Sequence, residues 1–195
     1  MIERDDEGLA FFLDHYRPFR LKMLRECPSA FSSTIAREEA FDLDTWKQRF
    51  FKPIAWTFVA VKNTDGRRAV ISSLTILGPL DTDETDRPSA ISDNKRDDGN
   101  AMEPALVERW AITAVFTDPE FRRLGIGSQV LAAATRHAVK ESGAKRSDCL
   151  LTLGLMPDNM DARAFYEKAG FRFWRPDASG GEVDLAKYIT ASKGP

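Results

Sequence analysis

Cysteine and histidine are scarce in this 195-residue chain, at two residues each: Cys27, Cys149, His15 and His137. Two cysteines exclude a disulfide scaffold, and the Cys-x-x-Cys and Cys/His spacings of a zinc site are missing. No metal is therefore expected. A surplus of base is missing as well. Lysine and arginine number 28 against 30 aspartates and glutamates, a formal charge of −2. That balance excludes a basic nucleic-acid-binding protein by bulk charge, so no nucleic acid is expected among the partners. No apolar run approaches the ~18 residues of a membrane span, and no membrane partner is expected. The opening stretch MIERDDEGLAFF carries acid where a targeting peptide carries base. A reduced, cytoplasmic compartment is the simplest expectation. No repeat of roughly 20–50 residues is visible. What remains is ordinary globular composition, 43% hydrophobic and 30% charged. At about 100–200 residues per domain, residues 1–195 form a single domain.

The first third reads as helical. Pro18 suits a first helical turn, and Phe19, Met23, Leu24 and Cys27 share one face before Pro28. A second helical stretch is expected over 36–51, with Leu43, Trp46 and Phe50 at helical spacing. Two strand-like runs follow, Ile54–Lys62 and Ala69–Leu77, joined by a turn that ends in Asp65-Gly66; this predicts a hairpin. From about 80 to 104 the composition changes. Between Asp81 and Asp98 seven acids face three bases, with almost no apolar residue. Such a segment buries too little surface to offset the entropy of ordering, and is expected to be a mobile insertion loop. The second half alternates: a strand at 106–117, a helix at 128–142 stopped by Gly143, a buried strand at 149–155, and a helix at 161–169 entered through Asp158-Asn159 and ended by Gly170. Two closing strands follow at 171–174 and 183–189. The pattern predicts mixed α/β architecture, with helices crossing over one sheet.

The chemistry concentrates in Val115–Ser128, VFTDPEFRRLGIGS. A strand ends near Thr117, a short polar turn follows, and Arg122-Arg123-Leu124-Gly125-Ile126-Gly127 opens a helix. Helix N-termini hold unsatisfied N–H groups and partial positive charge. Glycine lets backbone approach an anion closely. The expected result is a pyrophosphate cradle made of amides with arginines beside it. It is not a P-loop, because no Gly-Lys-Ser/Thr closes it, and not a dinucleotide fingerprint, because Val130 stands where the third glycine belongs. Taken alone, Arg-x-x-Gly-x-Gly is equally compatible with a tight strand-to-helix turn.

In its context this stretch resembles the acetyl-CoA site of the GNAT superfamily of N-acetyltransferases. The signature stands here as Arg122-x-x-Gly125-x-Gly127, preceded by Ala114-Val115 and Pro119-Glu120. The second half of the family pattern also has a counterpart, in Asn159-x-x-Ala162-x-x-Phe165-Tyr166-Glu167-Lys168-x-Gly170-Phe171. Upstream, Arg20-Leu21-Lys22-Met23-Leu24-Arg25 and Pro28-x-Ala30-Phe31 resemble the first helix of many members. The likeness runs from about 17 to 189, interrupted by the acidic insertion.

The resemblance implies a GNAT fold: a mixed, mostly antiparallel twisted sheet with a splayed parallel central pair, flanked by helices. It implies an acyltransferase that moves the acetyl group of the cosubstrate acetyl-CoA to a primary amine in a ternary complex, without an acyl-enzyme. The coenzyme would be held by Ala114, Val115, Phe116 and Thr117 along the strand. Arg122, Arg123, Leu124, Gly125, Ile126, Gly127 and Ser128 would hold its pyrophosphate. Asn159, Phe165 and Tyr166 would complete the site from the far side of the splayed strands. Tyr166 would protonate the departing thiolate, and an N–H near Val115 would stabilise the oxyanion. The acceptor would be a small-molecule or peptide amine; its identity, and the choice between monomer and homodimer, stay open. The acidic insertion would favour cationic acceptors by long-range attraction.

Each of these residues has a plainer alternative. Tyr166 lies on an amphipathic helix with Ala162, Phe165 and Ala169, as a core tyrosine would. Asn159 suits a helix cap, Cys149 core packing, and His137 an ordinary helix surface. Arg122 and Arg123 suit a solvated loop. The base is where the sequence departs from the family. Some members place a glutamate about eleven residues ahead of the motif; Ala111 stands there. Glu108 is the nearest acid, on the opposite face of an ideal strand unless a bulge corrects the parity. The alternative function is a non-catalytic acyl-CoA-binding module of the same fold. The N-terminal stretch makes a poor first strand, so the usual edge strand is expected to be short or missing.

Overall fold

The computed structural model describes residues 1–80, 106–176 and 183–190. Apart from Leu80, the acidic stretch expected to form the insertion loop lies outside the described residues, as does the Gly180-Gly181 turn. The chain packs as two compact units. The first is Met1–Leu77 with Ile112–Thr135, and the second is Gly78–Ala111 with Arg136–Pro195.

The first unit begins with helix rather than strand. Asp5 accepts from the Gly8 amide at 2.7 Å and starts α1, Asp6–Phe11. A π-helical turn, Phe12–Tyr16, leads directly into α2, Arg17–Glu26. As the sequence suggested, no strand precedes position 55 among the described residues; Ile2 keeps one bond, its N–H to the Thr57 carbonyl at 2.9 Å. The helical stretch expected over 36–51 is two helices. Thr34 caps α3, Ile35–Glu39, and Asp42 caps α4, Leu43–Phe50, by accepting from Thr45. A cap carboxylate restarts the helix where a hydrophobic period alone predicts continuity.

The hairpin forms as predicted. Strands β1, Ala55–Thr64, and β2, Arg67–Leu80, pair antiparallel with Thr64 opposite Arg67. The two intervening residues, Asp65 and Gly66, have φ of 48° and 76°. Two positive φ angles define the turn type that matches strand twist, which is why Asp-Gly serves here. Ile2, Phe12, Tyr16, Trp46 and Phe50 form one buried cluster; Phe19, Met23, Val70 and Phe116 form another.

Under this core lies a buried charge network. Arg20 grips Glu38 with two bonds, 3.0 and 2.6 Å, and Arg49 reaches the same carboxylate at 3.1 Å. Glu38 is 1% exposed and Arg20 4%. Desolvation alone would raise the Glu38 pKa, but the Arg20 bonds and the charges of Arg49 and Arg20 outweigh it, and its pKa falls below the ordinary carboxylate value. A lowered folded-state pKa contributes stability that is present above the unfolded pKa and lost as pH falls through the folded one. Glu38→Ala leaves Arg20 buried without a counter-charge, and is expected to cost about 3 kcal/mol in urea unfolding at pH 7. The cost should shrink toward pH 3; an equal cost at both pH values would contradict this account.

Strand β3, Val107–Thr117, passes from the second unit into the first between Ala111 and Ile112. It is followed by α5, Ile126–Ala144, then β4, Asp148–Leu155, and α6, Met160–Lys168. Strands β5, Arg172–Pro176, and β6, Val183–Ile189, complete the described elements. The strand order is β1-β2-β3-β4-β6-β5. Strands β3 and β4 are parallel, from Val107 opposite Asp148 to Ala111 opposite Thr152; β6 runs antiparallel to both β4 and β5. Strand β4 is buried on both faces except at Gly154, as a central strand must be. The stop of α5 differs from expectation. Gly143 stays helical, and the left-handed residue is Arg146, φ 57°. The Arg146 amide bonds the Gly143 carbonyl and the Ser147 amide the Ser142 carbonyl, both at 3.0 Å, a double C-terminal lock.

Candidate active site

In the first unit, the site grows from the end of β3. Ser72 Oγ donates to the Phe116 carbonyl at 3.1 Å, and the Asp118 amide donates to the Ile71 carbonyl at 2.9 Å. Asp118 also takes an ion pair from Lys22 of α2, which raises the lysine's pKa, chiefly through that hydrogen bond. These bonds fix the strand end against β2 and α2. Inside β3, Ala114 has φ 52°, a left-handed value few alanines adopt. Val115 and Thr117 are half-buried, and Phe116 is buried against Phe19, ring centres 5.6 Å apart.

The turn that follows alternates backbone hand. Arg122 is extended, Arg123 has φ 64° and Gly125 φ 77°. Both left-handed residues lie just ahead of α5, in the turn that carries the chain from β3 into the helix. Helix α5 begins at Ile126, and the Gln129 amide bonds the Gly125 carbonyl at 3.0 Å. The amides of Ile126, Gly127 and Ser128 precede that first helical bond and have no partner within the helix. A Cβ built on Gly125 meets nothing within 4 Å, so the space beside it is open. The two arginines differ. Arg122 is turned back: its Nε donates to the Thr117 carbonyl at 3.0 Å, and its guanidinium sits 5.6 Å from the Phe116 ring centre. Arg123 and Leu124 are exposed.

The second unit holds Glu108, Asn159, Phe165 and Tyr166. Asn159 caps α6 by accepting from the Ala162 amide at 3.2 Å, which leaves its side-chain NH₂ as donor. Tyr166 packs between Phe165 and Phe171, ring centres 5.0 and 5.6 Å away, and is 6% exposed. Burial raises its pKa, so the phenol keeps its proton at physiological pH. Among the described residues its hydroxyl has no hydrogen-bond partner. Glu108 is bound to Lys145 at 2.8 Å through Oε1, while the buried Oε2 has no partner. The β3–β4 register is regular across 107–111, so no bulge there reverses the parity between Glu108 and Ala111. Cys149 is buried, and desolvation lifts its thiol from 9.0 to about 11, an environment for packing rather than nucleophilic attack. His137 is half-buried and meets the Trp110 ring edge-on at 6.0 Å.

Sequence reasoning missed the neighbours that hold these parts. Lys22–Asp118 and Lys145–Glu108 join residues 96 and 37 positions apart. No local spacing signals such pairs.

Among the described residues no helix is long and apolar enough to cross a membrane, and no group of three or more His, Cys, Asp or Glu is placed to hold a metal ion. The described strands form a mixed α/β sheet with a central parallel pair. The family described as Acetyltransferase (GNAT) family matches residues 94–171, which include the glycine turn, Asn159 and Tyr166. Solved structures with the same fold include PaiA N-acetyltransferase from Thermoplasma acidophilum in complex with coenzyme A. That protein is 13% identical, with TM-score 0.56, over 93% of this chain and 92% of the other. Arabidopsis thaliana NAA60 in complex with a bisubstrate analogue is 18% identical, with TM-score 0.55, over 90% and 95%. A GNAT-family acetyltransferase from Staphylococcus aureus is 13% identical, with TM-score 0.53, over 90% and 94%. Curated proteins contain no sequence match.

Proposed function

We propose that the chain acts as one N-acetyltransferase domain of the cytoplasm, moving the acetyl group of acetyl-CoA to a primary amine by direct attack in a ternary complex. The observation that carries this reading is the glycine turn: left-handed Arg123 and Gly125 open α5, and the amides of Ile126–Ser128 precede its first helical bond. Three such amides at a helix N-terminus fit a pyrophosphate, and a side chain at Gly125 would fill the space it needs. In this reading the coenzyme supplies an activated acetyl thioester. Arg123, Leu124, Gly125, Ile126, Gly127 and Ser128 bind its pyrophosphate, with Arg122 alongside. Ala114–Thr117 pair with its extended arm, and Asn159 and Phe165 contact it further along. The strained backbone at Ala114 supports a special role for the following N–H, since such strain persists where surroundings over-determine it. The Val115 N–H is assigned to the oxyanion. Tyr166, neutral and without another acceptor, donates its proton to the leaving sulfur.

Thermal denaturation tests the carrying observation. At a hundredfold excess over Kd, acetyl-CoA should add roughly 2.7 kcal/mol to stability. A shift with ATP or NAD but none with CoA would overturn the reading.

An amine attacks only when neutral, and a lysine-type amine has a pKa of about 10.4. Glu108 Oε2, buried and without a partner among the described residues, is the carboxylate proposed to take that proton through a water, since the regular register keeps Glu108 on the opposite face of β3 from Ala111. Glu108→Gln should lower kcat/KM about tenfold at pH 7, short of the usual ~10²–10⁴ because water can substitute. The deficit should close as pH rises toward the amine pKa. A constant ratio across pH would assign deprotonation to water alone.

A second reading, a non-catalytic acyl-CoA-binding module, draws support from Ala111 and from the Lys145 pairing of Glu108. CoA binding without thiol release across an amine panel would establish it.

A further inference from the structure

The first unit contains a cavity of about 440 Å³ that the sequence did not reveal. Its walls come from the π-helical turn, α4, β1, β2 and β3. Phe12, Tyr16 and Phe41 give it an aromatic side; Thr57, Thr75 and Thr113 give it a hydroxyl side, next to Ala114. Arg49 and Lys52 also line it, and no carboxylate does among the described residues. The charge survives local pairing. Glu38 is shared by Arg20 and Arg49, so that triad keeps one positive charge, and Lys52 adds a second. Tyr16 is 1% exposed, lines the cavity, and its hydroxyl has no hydrogen-bond partner among the described residues.

We infer that this cavity binds the acceptor, and that the acceptor is a small amine with an aromatic body and an anionic group. The inference rests on the acyl-transfer reading for the word acceptor, but the ligand class follows from the cavity. The aromatic side takes a flat apolar body. The Arg49–Lys52 edge takes a carboxylate or phosphate, since cations with no competing acid favour an anion. The Tyr16 hydroxyl is free to bond a polar group of the ligand. Ala114 ties the cavity to the strand assigned to the coenzyme, which puts an amine bound there beside Val115. The described lining is thus opposite in charge to residues 81–98, whose acidity suggested a cationic acceptor.

Matched probes test this on the full chain. One pair is 4-(aminomethyl)benzoate and 4-(aminomethyl)benzamide, and the other is tyramine O-phosphate and tyramine. Ligand-observed NMR titrations give the Kd of each, with and without saturating CoA. In at least one pair the probe that bears the carboxylate or phosphate should bind about five- to tenfold tighter than the probe that lacks it, the gain of one charge-assisted contact partly screened by water. Raising salt should reduce the ratio. Which pair shows the preference separates carboxylate from phosphate. Lys52→Glu, at an exposed position, should abolish it, whereas Lys47→Glu, outside the lining, should preserve it. Equal affinities in both pairs, no binding by any of the four, or a preference that survives Lys52→Glu would overturn the inference. Binding is read without turnover. Anion-selective binding with no thiol release would therefore count against acyl transfer and leave the ligand class standing. Brisk thiol release with no selectivity would do the reverse.

Discussion

Tyr166→Phe is expected to lower kcat by about 10²–10⁴-fold while acetyl-CoA affinity stays near its original value. The substitution removes one hydroxyl and leaves the ring that packs on Phe165 and Phe171. That hydroxyl bonds no described residue, so its removal orphans nothing and the fold should hold. Burial raises the phenol's pKa, so the hydroxyl carries its proton at physiological pH. A donor used only as the thiolate departs stabilises the transition state and not the ground state, so its loss falls on kcat rather than on KM. A purely structural tyrosine predicts the opposite: a small change in melting temperature and normal turnover. Steady-state thiol release for both proteins, beside a melting curve, decides between them. Unchanged kcat in a folded variant would remove Tyr166 from the mechanism.

Gly127→Glu should be the most damaging change to coenzyme binding and among the least damaging to the fold. Gly127 is the second residue of α5. Glycine costs a helix about 1 kcal/mol, and a carboxylate in the first turn gains from the helix dipole, so the variant should melt no lower than the parent. The same carboxylate stands among the amides of Ile126–Ser128 and competes for the place of the pyrophosphate. Affinity for CoA should fall at least about 100-fold, the loss of two charge-assisted hydrogen bonds before any like-charge repulsion. Gly125→Ala provides a second probe through a different physical term. Its φ of 77° costs an alanine about 1–2 kcal/mol, and its Cβ enters space that is otherwise open. That variant should lose both stability and affinity. Isothermal titration with CoA gives the affinity of each variant, and thermal unfolding gives its stability. Normal binding by folded Gly127→Glu would show the cradle to lie elsewhere.

The sequence by itself determined the features that a few neighbouring residues decide. Asp65-Gly66 specified the hairpin turn because both positions need positive φ. Asn159 and Gly170 bounded α6, the first as cap and the second with φ 91°. The strand-to-helix turn at Gly125 was legible because its left-handed backbone is set by a glycine within a few residues of the helix start. The misreadings were local too, where two short-range signals compete: the Asp42 cap split one expected helix, and Arg146 rather than Gly143 took the left-handed stop. Only the tertiary structure decided what distant segments build together. Arg20, Glu38 and Arg49 form one buried network from three helices. Lys145 claims an oxygen of Glu108 from beyond the end of α5. Tyr16, Arg49, Lys52 and Thr113 meet around one cavity from separate elements. Hydrophobic period, caps and turn residues act within a helical turn or a strand pair, and so leave marks in the sequence. A cavity's charge depends on which side chains converge across tens of residues, and packing alone fixes that.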